Sequence, residues 1–250
     1  MDLGLSGRTV LVTGATGDLG TVVARAFAEA GARVVTGYNT NREAAERLAE
    51  ELGNGSFAIR YSLDDPDSVA AAVTEIERSH GGLDVLVPLA ARLSGRRPDA
   101  DSFATAPPEE WVPFVEDNLL RTLRTVQLAL PAMRERGWGR IVLVSSHLAR
   151  NGRAGMEFYG AAKAALHGFT RSLMWDAGAS GVLVNVVCPG VTLTERVRAR
   201  MPEQAREAER AATPSRTLTR PEDVANLIVF LASAANGNIT GETITVAGGR

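Results

Sequence analysis

The sequence predicts an α/β chain: a single doubly wound domain in which helices cover both faces of a parallel sheet. Three observations carry this. Short runs rich in Val and Ile are apolar on both faces, as strands buried from two sides must be. Segments of helical period separate these runs one by one. The 250 residues contain no linker, internal repeat or low-complexity stretch that would divide them, and α/β folds of this length commonly form one domain.

The elements follow in order. Residues 9–13 (TVLVT) read as a buried strand, and Val22, Val23, Ala26, Phe27 and Ala30 mark one face of the helix behind it, which Gly31 closes. Residues 33–36 are the second strand, and 42–52 a charged helix with Ala44, Ala45, Leu48 and Leu52 turned inward. Strand 57–61, helix 66–78 behind Asp64 and Asp65, and strand 83–87 complete the first half. A long helix is expected over 109–136, with Pro113 bending or delaying its first turn. Strand 140–144, helix 159–177, strand 182–187, helix 221–233 and strand 242–246 then follow. Two stretches break the alternation. Residues 90–108 read as a loop, with Gly95, Pro98, Pro107 and Pro108. Residues 193–215, rich in Arg and Glu with Pro202 and Pro214 inside, read as a substrate loop or lid, the alternative being a solvated surface helix.

Composition excludes several classes of function. A formal net charge of -2 with interspersed signs offers nucleic acid no basic tract. Cys188 is the one cysteine, so an internal disulfide is impossible, and His80, His147 and His167 lack metal-ligand spacing. No metal is expected. The first eight residues are too short and polar for a secretory signal, and no apolar stretch approaches the ~20 residues that span a bilayer. A cytoplasmic location is the expectation.

The first strand runs into Thr13-Gly14-Ala15-Thr16-Gly17-Asp18-Leu19-Gly20, and a helix follows. Such a strand–turn–helix lets the backbone approach a pyrophosphate, whose charge rests on unpaired N–H groups at the helix N-terminus. The site is therefore read as a Rossmann dinucleotide site. Asp18 is unfavourable beside a pyrophosphate and is expected to turn away as a helix N-terminal residue. An NAD site carries an acid about 20 residues past the glycines. Here the second strand ends in Gly37-Tyr38-Asn39-Thr40-Asn41-Arg42, with no carboxylate before Glu43. Small polar groups and Arg42 suit a 2′-phosphate, which favours NADP(H) over NAD(H).

Tyr159 and Lys163 are four apart on one helix and project from one face. Bringing a tyrosine from its usual pKa of ~10 to about 7 takes roughly 4 kcal/mol. Lys163 and the positive charge of an oxidised nicotinamide are candidates to supply it. Ser146 ends the fifth strand, where parallel sheets bind ligands, and is placed to hydrogen-bond a substrate oxygen.

In order and spacing these residues resemble the short-chain dehydrogenase/reductase family along essentially the whole chain, and most nearly its soluble 3-oxoacyl-acyl-carrier-protein reductases and related ketoreductases. The resemblance rests on Thr13-Gly14 with Gly20, Asn118 in Asp117-Asn118-Leu119, Ser146 in Val144-Ser145-Ser146, and Tyr159-Gly160-Ala161-Ala162-Lys163. Ser146 lies thirteen positions before Tyr159. Asn185 with Cys188-Pro189-Gly190, and Asn238-Ile239-Thr240-Gly241, complete it. It implies a seven-stranded parallel sheet and a homo-oligomer, usually a tetramer, in which helices 109–136 and 159–177 form one interface. Tyr159 would be the general acid of reduction and the base of oxidation. Lys163 would tune it and bind the nicotinamide ribose, Ser146 would orient the carbonyl, and Asn118 would hold a relay water. Thr13, Gly14, Thr16, Gly17, Leu19, Gly20, Tyr38, Asn39, Thr40, Asn41, Ser62, Leu63 and Ala90 are expected at the cofactor, together with Tyr159 and Lys163. Pro189, Gly190, Thr192 and Thr194 would line the nicotinamide, with Thr194 bonding its carboxamide.

Three features depart from the family pattern. Asp18 stands at its middle glycine, Ser62 at its adenine-side aspartate, and Pro88-Leu89-Ala90-Ala91 replaces Asn-Asn-Ala-Gly after the fourth strand. Loss of the two asparagines removes side-chain hydrogen bonds that brace this strand.

The leading expectation is an NADP(H)-dependent oxidoreductase acting on a small carbonyl or alcohol. A regulator that binds NADP(H) without turnover, and an isomerase or lyase on the same fold, are the alternatives. The four-residue set Asn118, Ser146, Tyr159 and Lys163 argues against a pure sensor. Residues 89–97, 147–158 and 193–215 should wall the substrate, with Leu148, Met156 and Phe158 giving apolar surface. Arg92, Arg96, Arg97, Arg150 and Arg153 are candidates to face an anionic or carrier-bound substrate, and His147 to touch it.

Overall fold

Apolar residues pointing alternately to opposite sides build the sheet. In β1 (Thr9–Thr13), Val10 and Val12 enter one hydrophobic cluster and Leu11 the other, as a side-chain period of two requires. β2 (Arg33–Tyr38) divides Val34 from Val35 in the same way. The structure, a computed structural model, describes residues 2–92 and 103–250. The remaining strands are β3 (Phe57–Arg60), β4 (Val85–Pro88), β5 (Gly139–Val144), β6 (Val182–Pro189) and β7 (Thr243–Val246). Among the described residues these seven pair in parallel in the order β3-β2-β1-β4-β5-β6-β7. The chain forms a single Rossmann-type domain, as the sequence predicts. Order reverses between β1 and β4, so the crevice for a ligand opens there, at the carboxyl ends of the strands.

The helices are α1 (Asp18–Glu29), α2 (Arg42–Leu52), α3 (Pro66–Ser79), α4 (Pro108–Val115), α5 (Arg121–Glu135), α6 (Leu148–Asn151), α7 (Glu157–Ala177), α8 (Glu195–Arg200), α9 (Glu203–Ala212) and α10 (Pro221–Ala232). Val23, Phe27, Leu48, Leu52, Ile228 and Leu231 from α1, α2 and α10 fill one face of the sheet. Val73, Ile76, Val126, Met133 and Leu166 from α3, α5 and α7 fill the other. Burying each such side chain contributes roughly 1.5–3 kcal/mol.

One expectation changes, and one stretch left open between a loop and a helix is helical. The helix read over 109–136 is three pieces: α4, a wide π-type turn at Glu116–Leu120, and α5. Pro113 sits inside α4; its missing N–H and bulky ring disturb a helical ladder, and the ladder widens just beyond it. Residues 193–215 hold α8 and α9, with Glu203–Arg206 and Glu207–Arg210 paired one turn apart on α9. Pro202 marks the start of α9, where proline is tolerated, and does not interrupt a helix. Part of the expected loop at 90–108 lies outside the described residues.

The amino-terminal end of β5, away from the crevice, is tied by Arg140. Its buried guanidinium donates to the carbonyls of Gly139, Gly181, Ser233 and Asn236 at 2.9, 3.2, 3.3 and 3.1 Å. Burial pushes its pKa down to about 10.

The contact that fixes the crevice lies between α1 and the end of β1. A Cβ on Gly20 would sit 2.2 Å from the Gly14 carbonyl oxygen, a distance no backbone relaxation of a few tenths of an ångström removes. Alanine is otherwise the better helix former by about 1 kcal/mol, so the two effects oppose each other. Overpacking, which costs ~1–3 kcal/mol, is expected to win. Gly20→Ala should lower Tm by about 5 °C in thermal unfolding followed by circular dichroism, and an unchanged or raised Tm would contradict the contact.

Candidate active site

Each strand of the crevice delivers a short segment to it. Gly14 turns the chain out of β1 at φ +65, a conformation that favours glycine, and a Cβ there would meet the Ala90 backbone at 3.1 Å. The turn is closed by Gly17 N–H donating to Gly14 C=O at 3.0 Å, and Ala15 N–H ties it to Gly37 of β2 at 3.3 Å. The crevice is a cleft of about 960 Å³. Gly14, Thr16, Gly17, Leu19 and Gly20 line one end of it; Tyr38, Asn39, Thr40, Asn41 and Leu63 line the adjoining rim. Ala90, Ser146, Tyr159, Lys163, Pro189, Gly190, Thr192 and Thr194 continue the wall.

Three expected residues stand outside this lining. Thr13 is buried, and its Oγ1 accepts the Ala90 N–H at 2.9 Å, which joins the ends of β1 and β4. Ser62 is buried in the turn before α3, with its N–H donating to Ser68 Oγ at 3.0 Å. Asn118 lies one layer behind the cleft, in the π-type turn. Such wide turns are frequently found at functional sites. Its Nδ2 donates to Phe114 C=O at 2.9 Å and Arg92 C=O at 3.1 Å. Its Oδ1 is buried and has no hydrogen-bond partner among the described residues, which suits an acceptor for a water.

The polar wall is set by β5 and α7. Lys163 is buried, and its Nζ donates to Val144 C=O at 3.0 Å. Burial pulls its pKa down to about 8. Nζ is 6.0 Å from the Tyr159 ring centroid. Burial pushes the Tyr159 phenol above its ordinary value, while a hydrogen bond with Ser146 pulls the other way. Ser146 Oγ also accepts the Leu148 N–H at 3.2 Å. Phe114 packs against Tyr159 with ring centroids 6.4 Å apart. Behind Lys163, Ser145 Oγ donates to its carbonyl at 2.9 Å and sits 2.9 Å from His167 Nε2, itself 3.5 Å from Cys188 Sγ. No spacing in the sequence signals this cluster; the β5–β6 register assembles it.

Asp18 is the first residue of α1, and its carboxylate accepts the Arg196 N–H of α8 at 3.1 Å. That bond links the glycine-rich turn to the segment over the cleft, from which Thr194, Arg196, Val197 and Met201 reach the lining. Thr194 Oγ1 caps α8 by accepting the Val197 N–H at 3.3 Å. Arg42 does not line the cleft: it pairs with Glu46 at 2.7 Å on the surface of α2. Asn41 Oδ1 caps α2 through the Ala44 N–H at 3.1 Å.

Leu148 and Arg153 line the cleft, and Met156 and Phe158 lead into Tyr159. Phe158 stacks on Trp111 with ring centroids 5.1 Å apart. His147 lines the cleft, and burial lowers its pKa. Arg96 and Arg97 lie outside the described residues. Arg150 does not line the cleft. The sequence reading missed Asp117, which lines the cleft and pairs with Arg92. Among the described residues no group of three or more His, Cys, Asp or Glu is placed to hold a metal, and no helix is long and apolar enough to cross a membrane.

Comparison with known proteins identifies relatives along nearly the whole chain. A family model described as enoyl-(acyl carrier protein) reductase matches residues 14–250. The chain is 35% identical over 247 residues to the 3-oxoacyl-[acyl-carrier-protein] reductase of Vibrio cholerae serotype O1, covering 99% of this chain and 98% of that protein. It is 33% identical over 243 residues to the acetoacetyl-CoA reductase of Shinella zoogloeoides, covering 97% and 98%. Among solved structures, a 7α-hydroxysteroid dehydrogenase complexed with NADH and 7-oxo glycochenodeoxycholic acid matches with a TM-score of 0.90 at 30% identity, over 99% of this chain and 96% of that one. With fold, residue order and relatives in agreement over nearly its full length, the chain belongs to the short-chain dehydrogenase/reductase family of oxidoreductases.

Proposed function

We propose that the protein is an NADP(H)-dependent ketoreductase that interconverts a carbonyl and a secondary alcohol, with Tyr159 as the proton donor and acceptor. The observation that carries this reading is the meeting of the Ser146 hydroxyl, the Tyr159 phenol and the buried Lys163 ammonium on one wall of the cleft whose far end is the glycine-rich turn.

The residues present fit a dinucleotide. Gly14 and Gly20 leave the backbone bare where a Cβ would meet other backbone, and the N-terminus of α1 offers unpaired N–H groups to a pyrophosphate. When bound, the nicotinamide supplies the hydride; the protein's own groups hold and move the proton. Among the described residues that rim the cleft beyond β2, Tyr38 to Asn41, none carries a carboxylate. This favours a 2′-phosphate. Because Arg42 is engaged with Glu46, acceptance of that phosphate rests on Asn39, Thr40 and the N-terminus of α2.

In the reducing direction the substrate oxygen takes its hydrogen bond from Ser146 and its proton from Tyr159. Burial holds the phenol protonated at neutral pH, the state a general acid needs. Lys163, with a pKa near 8, is mostly charged at pH 7 and favours the phenolate that the transfer leaves behind. The substrate class is a ketone or 3-oxoacyl thioester, by analogy with the named reductases. Arg153 on the cleft wall suits an anionic group.

Against a panel of ketones, 3-oxoacyl thioesters and quinones, NADPH oxidation should exceed NADH oxidation at equal concentration. Tyr159→Phe should lower kcat by at least about a thousandfold, with NADPH affinity by fluorescence within threefold of wild type. Binding without turnover on any carbonyl would favour the sensor or isomerase readings.

A second outcome concerns stability. The pKa of Lys163 falls from 10.5 to about 8 on folding, so between these values the unfolded chain binds more protons and stability rises with pH. Below pH 8 the burial penalty is present in full. In nucleotide-free protein, Lys163→Met should therefore raise Tm by about 5 °C at pH 7, and the gain should shrink as the pH passes 8 towards 10.5. A gain independent of pH would show that the charge is not its source.

A further inference from the structure

At the end of β4 the side chains of Pro88 and Leu89 offer neither hydrogen-bond donor nor acceptor, and yet the chain is tied to the π-type turn. The holding is done by Arg92. Its carbonyl accepts from Asn118 Nδ2 at 3.1 Å, its Nε donates to Asp117, and its Nη2 donates to Asp64 at 2.6 Å. The two carboxylates differ in surroundings. The side chain of Asp64 is 61% exposed, and a pair of that kind contributes little. The side chain of Asp117 is 8% exposed, and Arg92 is the one cation paired with it among the described residues. A buried carboxylate without its cation is strongly unfavourable.

Asp117 is also the neighbour of Asn118, whose Nδ2 is shared between the Arg92 and Phe114 carbonyls and whose buried Oδ1 has no partner among the described residues. Phe114 in turn packs on Tyr159. A continuous line of contacts therefore runs from the Arg92 guanidinium and backbone, through Asp117, Asn118 and Phe114, to the proton donor.

We propose that Arg92 is a positioning residue for proton transfer: its guanidinium neutralises buried Asp117 and its carbonyl holds Asn118 in register with Tyr159. This replaces a brace that positions 88 and 89 cannot provide. The inference rests on the ketoreductase reading above. Loss of the cation leaves a negative charge in the turn beside the relay. That charge disfavours the Tyr159 phenolate and frees Asn118 to shift.

The test is a set of four proteins: wild type, Arg92→Met, Asp117→Asn and the double variant, with Arg92→Lys as a fifth that keeps the charge. Activity is assayed with NADPH and the best carbonyl of the panel. Arg92→Met should lose about tenfold to a hundredfold in kcat, as a displaced catalytic geometry does, with KM changed less than threefold. The alkaline limb of its kcat–pH profile should move to higher pH by about half a unit or more. The double variant should recover kcat to within about fivefold of wild type. If Arg92→Met folds too poorly to assay, retained kcat in Arg92→Lys and in the double variant upholds the pair, and loss in both overturns it. Unchanged kcat and pH profile in Arg92→Met, or a double variant no better than that single one, overturns the assignment while leaving the ketoreductase reading intact. An inactive wild type that still binds NADPH overturns both.

Discussion

Nothing larger than a hydrogen atom fits between α1 at Gly20 and the carbonyl of Gly14, and the cleft inherits its shape from that contact. With the helix pressed so close, its N-terminus lies directly beneath the strand ends. The same turn is hydrogen-bonded to Gly37 of β2 and abuts the Ala90 backbone beyond β4. Thr13 closes the arrangement by accepting the Ala90 N–H. Three strand ends are thereby held at distances set by one tight turn, leaving backbone N–H groups where a charged ligand can meet them.

The opposite wall depends on burial of charge and on one irregular helix. Lys163 faces a carbonyl and has no carboxylate partner among the described residues, so its ammonium remains available to act on a neighbour. A partnered lysine would have spent that field on its counter-ion. The wide turn at Glu116–Leu120 carries Asn118 buried, with its Oδ1 unpaired among the described residues. Both features cost stability in the isolated chain, which is typical of sites that keep groups ready for use.

Much of this was legible in the residues because the signals were local. β1 and α2 have the bounds that pattern alone predicts, Thr9–Thr13 and Arg42–Leu52, since apolar runs and helical spacing are properties of adjacent positions. Ser146, Tyr159 and Lys163 were legible through their spacing, and the structure brings them to one wall. The division of the long helix was not, because apolar periodicity hardly registers a single wide turn. Arg92 and Asp117 are separated by 25 positions, and their pairing depends on where β4 releases the chain. Arg42 failed in the other direction: its place after β2 suggested a ligand, but Glu46 one turn along the same helix is the nearer partner. The prolines of residues 193–215 left a loop and a surface helix both open, and Pro202 stands at the start of α9.

β4 ends at Pro88, and its ladder to β5 registers Val85 with Arg140 and Leu86 with Ile141, whereas β5 and β6 register six pairs. The sheet thus has a short seam between the half built by residues up to 92 and the half that carries α7. A dinucleotide reaching from the glycine-rich turn to Lys163 would lie across this seam as a rivet. At a hundred times its Kd such a ligand adds about 3 kcal/mol to the folded state. The short seam is then also the place where occupancy is felt, which ties the protein's resistance to unfolding and proteolysis to the nucleotide supply around it.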